Sequence, residues 1–205
     1  MSTSPETRRR GRGRAADAPD LREQILGTAS SLFYQRGVRA VGIDLVIEQA
    51  GVAKTSLYRY FPTKDDLIVA FLEREDVDFW SVWDGVARQH ADQPLAELEA
   101  HMRWIGERLG RANYRGCPQI NVAAEFAEQD HPARFVARAH MDGLRKRLLA
   151  IAQRLEVKAP ERLAGQLAVL VNGAFVSSEL LAPGEATELL LDAVHALVAA
   201  AAKAG

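Results

Sequence analysis

From residue 20 onward the apolar positions recur three and four residues apart and nowhere settle into strand-like alternation. Leu21, Ile25, Ala29, Leu32 and Phe33 fall on one face of a helix from about Asp20 to Arg36, and Gly37 supplies its stop. A second, short helix is expected from Ile43 to Ala50, with Gly42 as a tolerated N-cap and Asp44 in the first turn, where a negative charge suits the helix dipole. Gly51 then turns the chain. A third helix, Lys54 to Tyr60, is ended by Pro62, which disfavours helical geometry at Phe61. Two short helices around a glycine-containing turn spell a helix-turn-helix.

Thr63 and Asp66 resemble a capping box that opens a long helix through Leu67 and Phe71 to about Gln89. Further helices are expected from Pro94 to about Leu109, Cys117 to Glu128, His131 to about Leu155 and Pro160 to about Leu181. Pro183-Gly184 separates these from a last helix through Lys203. The fold class is therefore all-α, with about nine helices. Three regions follow: a disordered arginine-rich arm over 1–19, a helix-turn-helix domain over 20–66 and a larger helical domain over 67–205.

Composition narrows this picture. The 205 residues are 48% hydrophobic, enough for a real core. The net charge of -1 hides an asymmetry: residues 1–64 carry 11 Lys or Arg against 6 Asp or Glu, the remainder 15 against 21. A basic module joined to a non-basic one suggests a polyanion partner for the first. In the arm, Arg8, Arg9, Arg10, Arg12 and Arg14 among glycines could add phosphate contacts or simply stay solvated. With no long uninterrupted apolar run, no secretory signal and one cysteine, Cys117, the chain is expected to be cytoplasmic, without a disulfide framework.

Leu57 and Phe61 share the inner face of the third helix, which leaves Lys54, Thr55, Ser56, Arg59 and Tyr60 pointing away. Seven residues are too few to be helical alone, so packing must hold this helix and free its outer face for another task. Thr and Ser can bond base edges, Lys and Arg reach guanine or phosphate, and Tyr reaches phosphate oxygens. Lys64 places a cation at the start of the next helix, against the dipole, a position that an approaching phosphate would justify.

The stretch "GVRAVGIDLVIEQAGVAKTSLYRYFPTKDDLIVAFL", Gly37 to Leu72, resembles the N-terminal DNA-binding domain of the TetR family of transcriptional regulators. The likeness lies chiefly in Ala50-Gly51-Val52, Leu57-Tyr58, Tyr60-Phe61 and Lys64-Asp65-Asp66-Leu67. It implies an all-α homodimer with a larger domain for dimerisation and effector binding. It also implies Lys54, Thr55, Ser56 and Tyr58 as major-groove contacts, and Tyr60 and Lys64 on phosphates. Val41-Gly42-Ile43 departs from the family's usual hydroxyl residue near the start of helix two, so that phosphate contact is not carried over.

Tyr114 to His140 resembles, more loosely, a recurrent C-terminal domain of such regulators. Trp104, Cys117, Asn121, Phe126 and Phe175 are the candidates for an effector pocket. Cys117, His131 and His140, or Glu125 with His101, invite a nucleophile or metal reading. No HExxH, paired-cysteine or GxSxG spacing accompanies them, so no catalytic residue, metal or cofactor is expected. Leu163, Leu167, Leu170, Val171, Ala174 and Phe175 form one apolar stripe, and Leu189, Leu190, Ala193, Leu197 and Val198 another. These two helices are expected to pair with their counterparts in a second copy as a four-helix bundle. The reading is a homodimeric repressor of a palindromic double-stranded DNA operator, released by a small-molecule effector, with helix four as the lever. The alternative is a helical ligand-binding protein or enzyme without specific DNA binding.

Overall fold

The computed structural model describes residues 18–182 and 184–203; of the arginine-rich arm expected over 1–19, residues 1–17 lie outside the described residues, and 18 and 19 belong to the first helix. The helices are α1 (Ala18–Arg36), α2 (Ile43–Ala50), α3 (Lys54–Tyr60), α4 (Lys64–Gln89), α5 (Pro94–Leu109), α6 (Pro118–Glu125), α7 (Pro132–Arg154), α8 (Pro160–Ser177) and α9 (Glu185–Lys203). A 3₁₀ turn, Ser178–Leu180, follows α8. Among the described residues there is no strand.

Local chemistry sets the boundaries. Four helices begin with proline, whose missing N–H is no loss in a first turn. Thr63 and Asp66 form the full reciprocal capping box that opens α4. Gly51 takes a left-handed conformation, φ 63°, that closes α2. Two expected boundaries shift. The α8 helix stops at Ser177 and tightens into the 3₁₀ turn. The α6 helix ends at Glu125, three residues before the expected Glu128, because Phe126 turns extended and buries its ring against His131, centroids 3.6 Å apart. The Arg134 guanidinium takes over the terminal carbonyls, donating to Phe126 O at 2.6 Å.

Two apolar clusters form the core. The first joins Ile25, Leu32 and Phe33 of α1, Val46 of α2, Leu57 and Phe61 of α3, and Leu67 and Phe71 of α4. Val122, Phe126 and Ala133 from far along the chain complete it. The second gathers Phe79 and Trp83 of α4 with Met102, Ile105, Leu144, Leu148, Leu167, Val171, Phe175, Leu190 and Val194. Helix α4 thus runs through both. The α5 and α9 helices cross so closely that a Cβ on Gly106 would lie 2.7 Å from Thr187 Cα.

The two stripes expected to meet a second copy divide. Leu163, Leu167, Val171, Phe175 and Leu190 are buried within this chain, because α7 and α5 already cover that side of α8 and α9. Leu189 of the second stripe stays exposed, together with Val169, Val176 and Leu180, which lie outside the expected stripes. Pro160–Leu180 is long and apolar enough by length and composition to cross a membrane, yet one side of α8 is packed as a core helix.

Candidate functional sites

The helix-turn-helix is held from behind. Leu57 is fully buried and Phe61 nearly so, while the Gln24 side chain of α1 donates to Ala50 O at 2.8 Å and ties off the end of α2. Lys54, Thr55, Tyr58 and Arg59 are exposed on the outer side of α3, and Ser56 is half-buried beside them. Tyr60, expected to point outward, is half-buried and packs against the first core cluster. Its ring carries the Arg59 guanidinium 4.8 Å from the centroid, and its hydroxyl accepts from Arg59 Nη2 at 3.2 Å. Lys64 stands half-buried at the head of α4.

Charge on this face is preset. Asp44, at the start of α2, accepts from Lys54 Nζ at 3.1 Å, and this bond, with the carboxylate's charge, holds the ammonium above its usual range. Asp44 therefore does more than satisfy a helix dipole: it also pairs, at the exposed surface, with the first cation of α3. Burial pulls the Lys64 ammonium below the usual lysine range, against Glu125 and Asp65, whose charges raise it. A half-buried cation at a helix start, in partial want of counter-charge, is suited to a phosphate oxygen.

The α6 segment clasps this domain. The Glu125 carboxylate accepts from Val38 N at 3.1 Å and Arg39 N at 2.8 Å, in the loop between α1 and α2. Gly37 precedes them with φ 86°, where a Cβ would also meet Glu125 Oε1 at 3.0 Å. At the other end of α6, the Tyr34 hydroxyl accepts from Arg115 N at 2.9 Å and donates to Gly116 O at 3.2 Å. His131 faces Asp65 at 3.5 Å.

Behind α6 lies a small chamber of about 10 Å³, lined by Glu75, Asp76, Phe79, Cys117, Gln119, His140 and neighbours. Asp76 Oδ1 organises it. It accepts from Gln119 Nε2 at 2.8 Å and lies 2.7 Å from His140 Nδ1; as a carboxylate only accepts, that nitrogen donates. Burial would lower the His140 pKa, but the bond to Asp76 and the adjoining Cys117 outweigh it and push it up to about 9. Glu75 and Arg108, 3.9 Å apart, also line an outer groove of about 460 Å³ with Tyr34, Arg74 and Tyr114. Burial raises the Glu75 carboxyl above its usual range, with Arg108 pulling it back.

Of the five effector-pocket candidates, three come together. Cys117 and Phe175 line the chamber, and Trp104 packs on Phe79, centroids 4.9 Å apart. Asn121 is exposed and donates to Arg115 O at 2.7 Å, and Phe126 belongs to the first cluster. The Asp76–Gln119–His140 group was not singled out from the sequence, since its members are separated by 43 and 64 residues and share no motif. Among the described residues no group of three or more His, Cys, Asp or Glu could hold a metal ion.

A short polar helix held outward on a packed helix-turn-helix, with a larger helical body behind it, is the architecture of a DNA-binding regulator. Residues 25–71 match the family described as bacterial regulatory proteins, tetR family. The chain is 32% identical to the transcriptional regulator AcuR of Cereibacter sphaeroides over 124 residues, 60% of this chain and 57% of that protein. It is 29% identical to the HTH-type transcriptional regulator YxaF of Bacillus subtilis over 160 residues, 75% and 80% of the two chains. The crystal structure of a TetR-family transcriptional regulator from Streptomyces coelicolor superposes with a TM-score of 0.85 at 26% identity, covering 90% of this chain and 97% of that one. Residues 25–71 thus carry the DNA-binding domain of the TetR family, and the chain shares the fold of a TetR-family transcriptional regulator over nine-tenths of its length.

Proposed function

We propose that the protein is a cytoplasmic homodimeric repressor that binds a palindromic operator through residues 20–66 and releases it when a small molecule occupies the body formed by 67–205. The observation that carries this reading is the outer face of α3, where Lys54, Thr55 and Tyr58 stand exposed on a helix anchored by Leu57 and Phe61. Lys54, Thr55, Ser56 and Tyr58 read bases, while Arg59, Tyr60 and Lys64 grip phosphates at the edge of the groove.

A second copy covers the exposed apolar side of α8 and α9. Val169, Val176 and Leu180 recur at seven- and four-residue spacing on one side, 75%, 64% and 85% exposed, and Leu189 on α9 is 48% exposed. Several large apolar side chains exposed along one helix side are seldom left to water. Two-fold pairing there sets the two α3 helices to enter successive major grooves about 34 Å apart.

Release works through differential affinity: the effector must favour a helix spacing that misfits DNA. Two connections support such a transfer. The α4 helix carries Asp76 and Phe79 at the chamber and Leu67 at the DNA-binding core, and α6 carries Gln119 at the chamber and Glu125 at the α1–α2 loop. Selection of bound sequences from random duplex DNA tests the reading. A two-fold symmetric site is the expected outcome. Retardation that survives the combined Lys54→Ala, Thr55→Ala, Tyr60→Ala and Lys64→Ala variant points instead to a helical ligand-binding protein without specific DNA binding.

A further inference from the structure

Inside the chamber one buried polar atom has no partner, and a second has only the weakly accepting thiol of Cys117. Gln119 uses both hydrogens of Nε2, one on Leu72 O at 2.9 Å and one on Asp76 Oδ1 at 2.8 Å. Two acceptors at that end leave no ambiguity in the amide's orientation: Oε1 must face the other way, and it has no partner. His140 spends Nδ1–H on the same Asp76 oxygen, so Nε2 also faces away, with the Cys117 thiol as its weak hydrogen-bonding neighbour and no nitrogen or oxygen partner. Both side chains are 2% exposed and both line the chamber, with the thiol of Cys117, a weak acceptor, as near neighbour. A buried polar atom without a partner costs free energy in proportion to its desolvation, so a matching pair held by one carboxylate is a built recognition site.

We propose that this pair receives the head group of the effector, and that the head is a neutral amide-type group, a C=O beside an N–H, as in a carboxamide, lactam or imide. The proposal rests on the reading of the body as an effector domain. The carbonyl accepts from His140 Nε2–H, and the N–H donates to Gln119 Oε1. A carboxylate offers acceptors only, so one of its oxygens would oppose Gln119 Oε1 and stand near Glu75. A hydrocarbon leaves both protein atoms unbonded. Charge within the chamber is already balanced, Asp76 against His140 and Glu75 against Arg108, which leaves no place for a net ionic head.

At about 10 Å³ the chamber has room for a group the size of one water, so a ligand must part its walls. The outer groove reaches the same place, since Glu75 and Arg108 line both spaces, and the Tyr114 hydroxyl there is also buried without a partner. The ligand enters past the Glu75–Arg108 pair, its head between Gln119 and His140, its body in the groove beside Tyr34 and Tyr114. Parting the walls displaces α6 against α4, two of the helices that reach the DNA-binding domain.

Benzamide is the probe. With the full chain labelled with ¹⁵N-histidine, benzamide at millimolar concentration, the affinity expected of so small a ligand, is expected to move the His140 Nε2 resonance. Benzoate and toluene at the same concentration bind at least about tenfold more weakly, the loss expected for one unmade buried hydrogen bond. His140→Leu and Gln119→Met each lower benzamide affinity by a similar factor; the resonance measurement on the wild-type chain stands even if a variant fails to fold. An unmoved His140 resonance, or benzoate and toluene binding as well as benzamide, overturns the proposal. Benzamide binding that leaves operator affinity unchanged supports this site and sinks release by an effector. Release by a compound that leaves His140 unmoved sinks this site and leaves the regulator standing.

Discussion

The Glu125 carboxylate accepts the backbone N–H of Arg39 at 2.8 Å across 86 residues of sequence, and with its other oxygen takes that of Val38. One side chain at the end of α6 thereby holds the loop from which α2 starts. The orientation of the DNA-binding helices is coupled to α6 by a bond that a single substitution removes.

Glu125→Ala is expected to lower stability by about 1–2 kcal/mol, since two amide donors lose a charged acceptor at a partly exposed site. Glu125→Gln, which can keep one of the two bonds, falls between. Urea unfolding midpoints measure the stability change. Operator titrations measure the functional one: an affinity that follows the order wild type, Gln, Ala is expected, and equal affinities for all three mean that the clasp does not orient the helix-turn-helix.

Asp44 and Lys54 make a second prediction. The carboxylate 3.1 Å from the Lys54 ammonium lies on the face assigned to DNA, where it repels phosphates. Asp44→Asn is expected to tighten binding to any duplex and to steepen the dependence of log K on log salt by about 1, as one more cation becomes free to displace counterions. Discrimination between operator and scrambled duplex should narrow. Fluorescence anisotropy at several salt concentrations reads both, and an unchanged salt slope would show that the Asp44 charge does not offset Lys54 on the bound duplex.

Two histidines bound the pH range of stability from opposite sides. His140, beside Asp76 and Cys117, is pushed up to about 9 from 6.5, so its contribution is complete below 6.5 and is lost as pH rises through 9. His101 is stacked on Trp83 at 3.7 Å and faces Glu97 at 3.7 Å; burial, aided by His90 and Arg154 and opposed by Asp84, lowers its pKa to about 3. Its contribution is present above 6.5 and is lost as pH falls towards 3. Denaturant midpoints are expected to peak near neutrality, with the alkaline limb worth roughly 3 kcal/mol. His140→Gln flattens the alkaline limb and His101→Phe the acid one; profiles unchanged by these variants would assign the limbs to other groups.

Gly106→Ala tests the α5–α9 crossing. The new Cβ would sit 2.7 Å from Thr187 Cα, a backbone atom that cannot swing aside. Overpacking of about 1–3 kcal/mol should exceed the gain of about 1 kcal/mol that alanine brings to a helix interior. A lower melting temperature is expected; a higher one would mean that α9 can move away from α5 without loss.

The sequence by itself determined what short-range chemistry controls. Gly51 closes α2 because the left-handed turn needs no Cβ, Thr63 and Asp66 open α4 by bonding each other's backbone, and the prolines at 94 and 160 begin helices. The inward pair Leu57 and Phe61 follows from helical periodicity, and with it the outward polar set. Tertiary structure decided the rest. Tyr60 turned inward because the first core cluster offered its ring apolar contact, and α6 stopped at Glu125 because Phe126 found a pocket against His131. Which side of α8 stays exposed depends on where α5 and α7 pack. The joining of Asp76 to Gln119 and His140 depends on three helices meeting at one oxygen. Periodicity and capping act over one or two turns of chain and leave a local signature. Contacts spanning dozens of residues depend on how the helices cross, and nothing in the neighbouring letters encodes that angle.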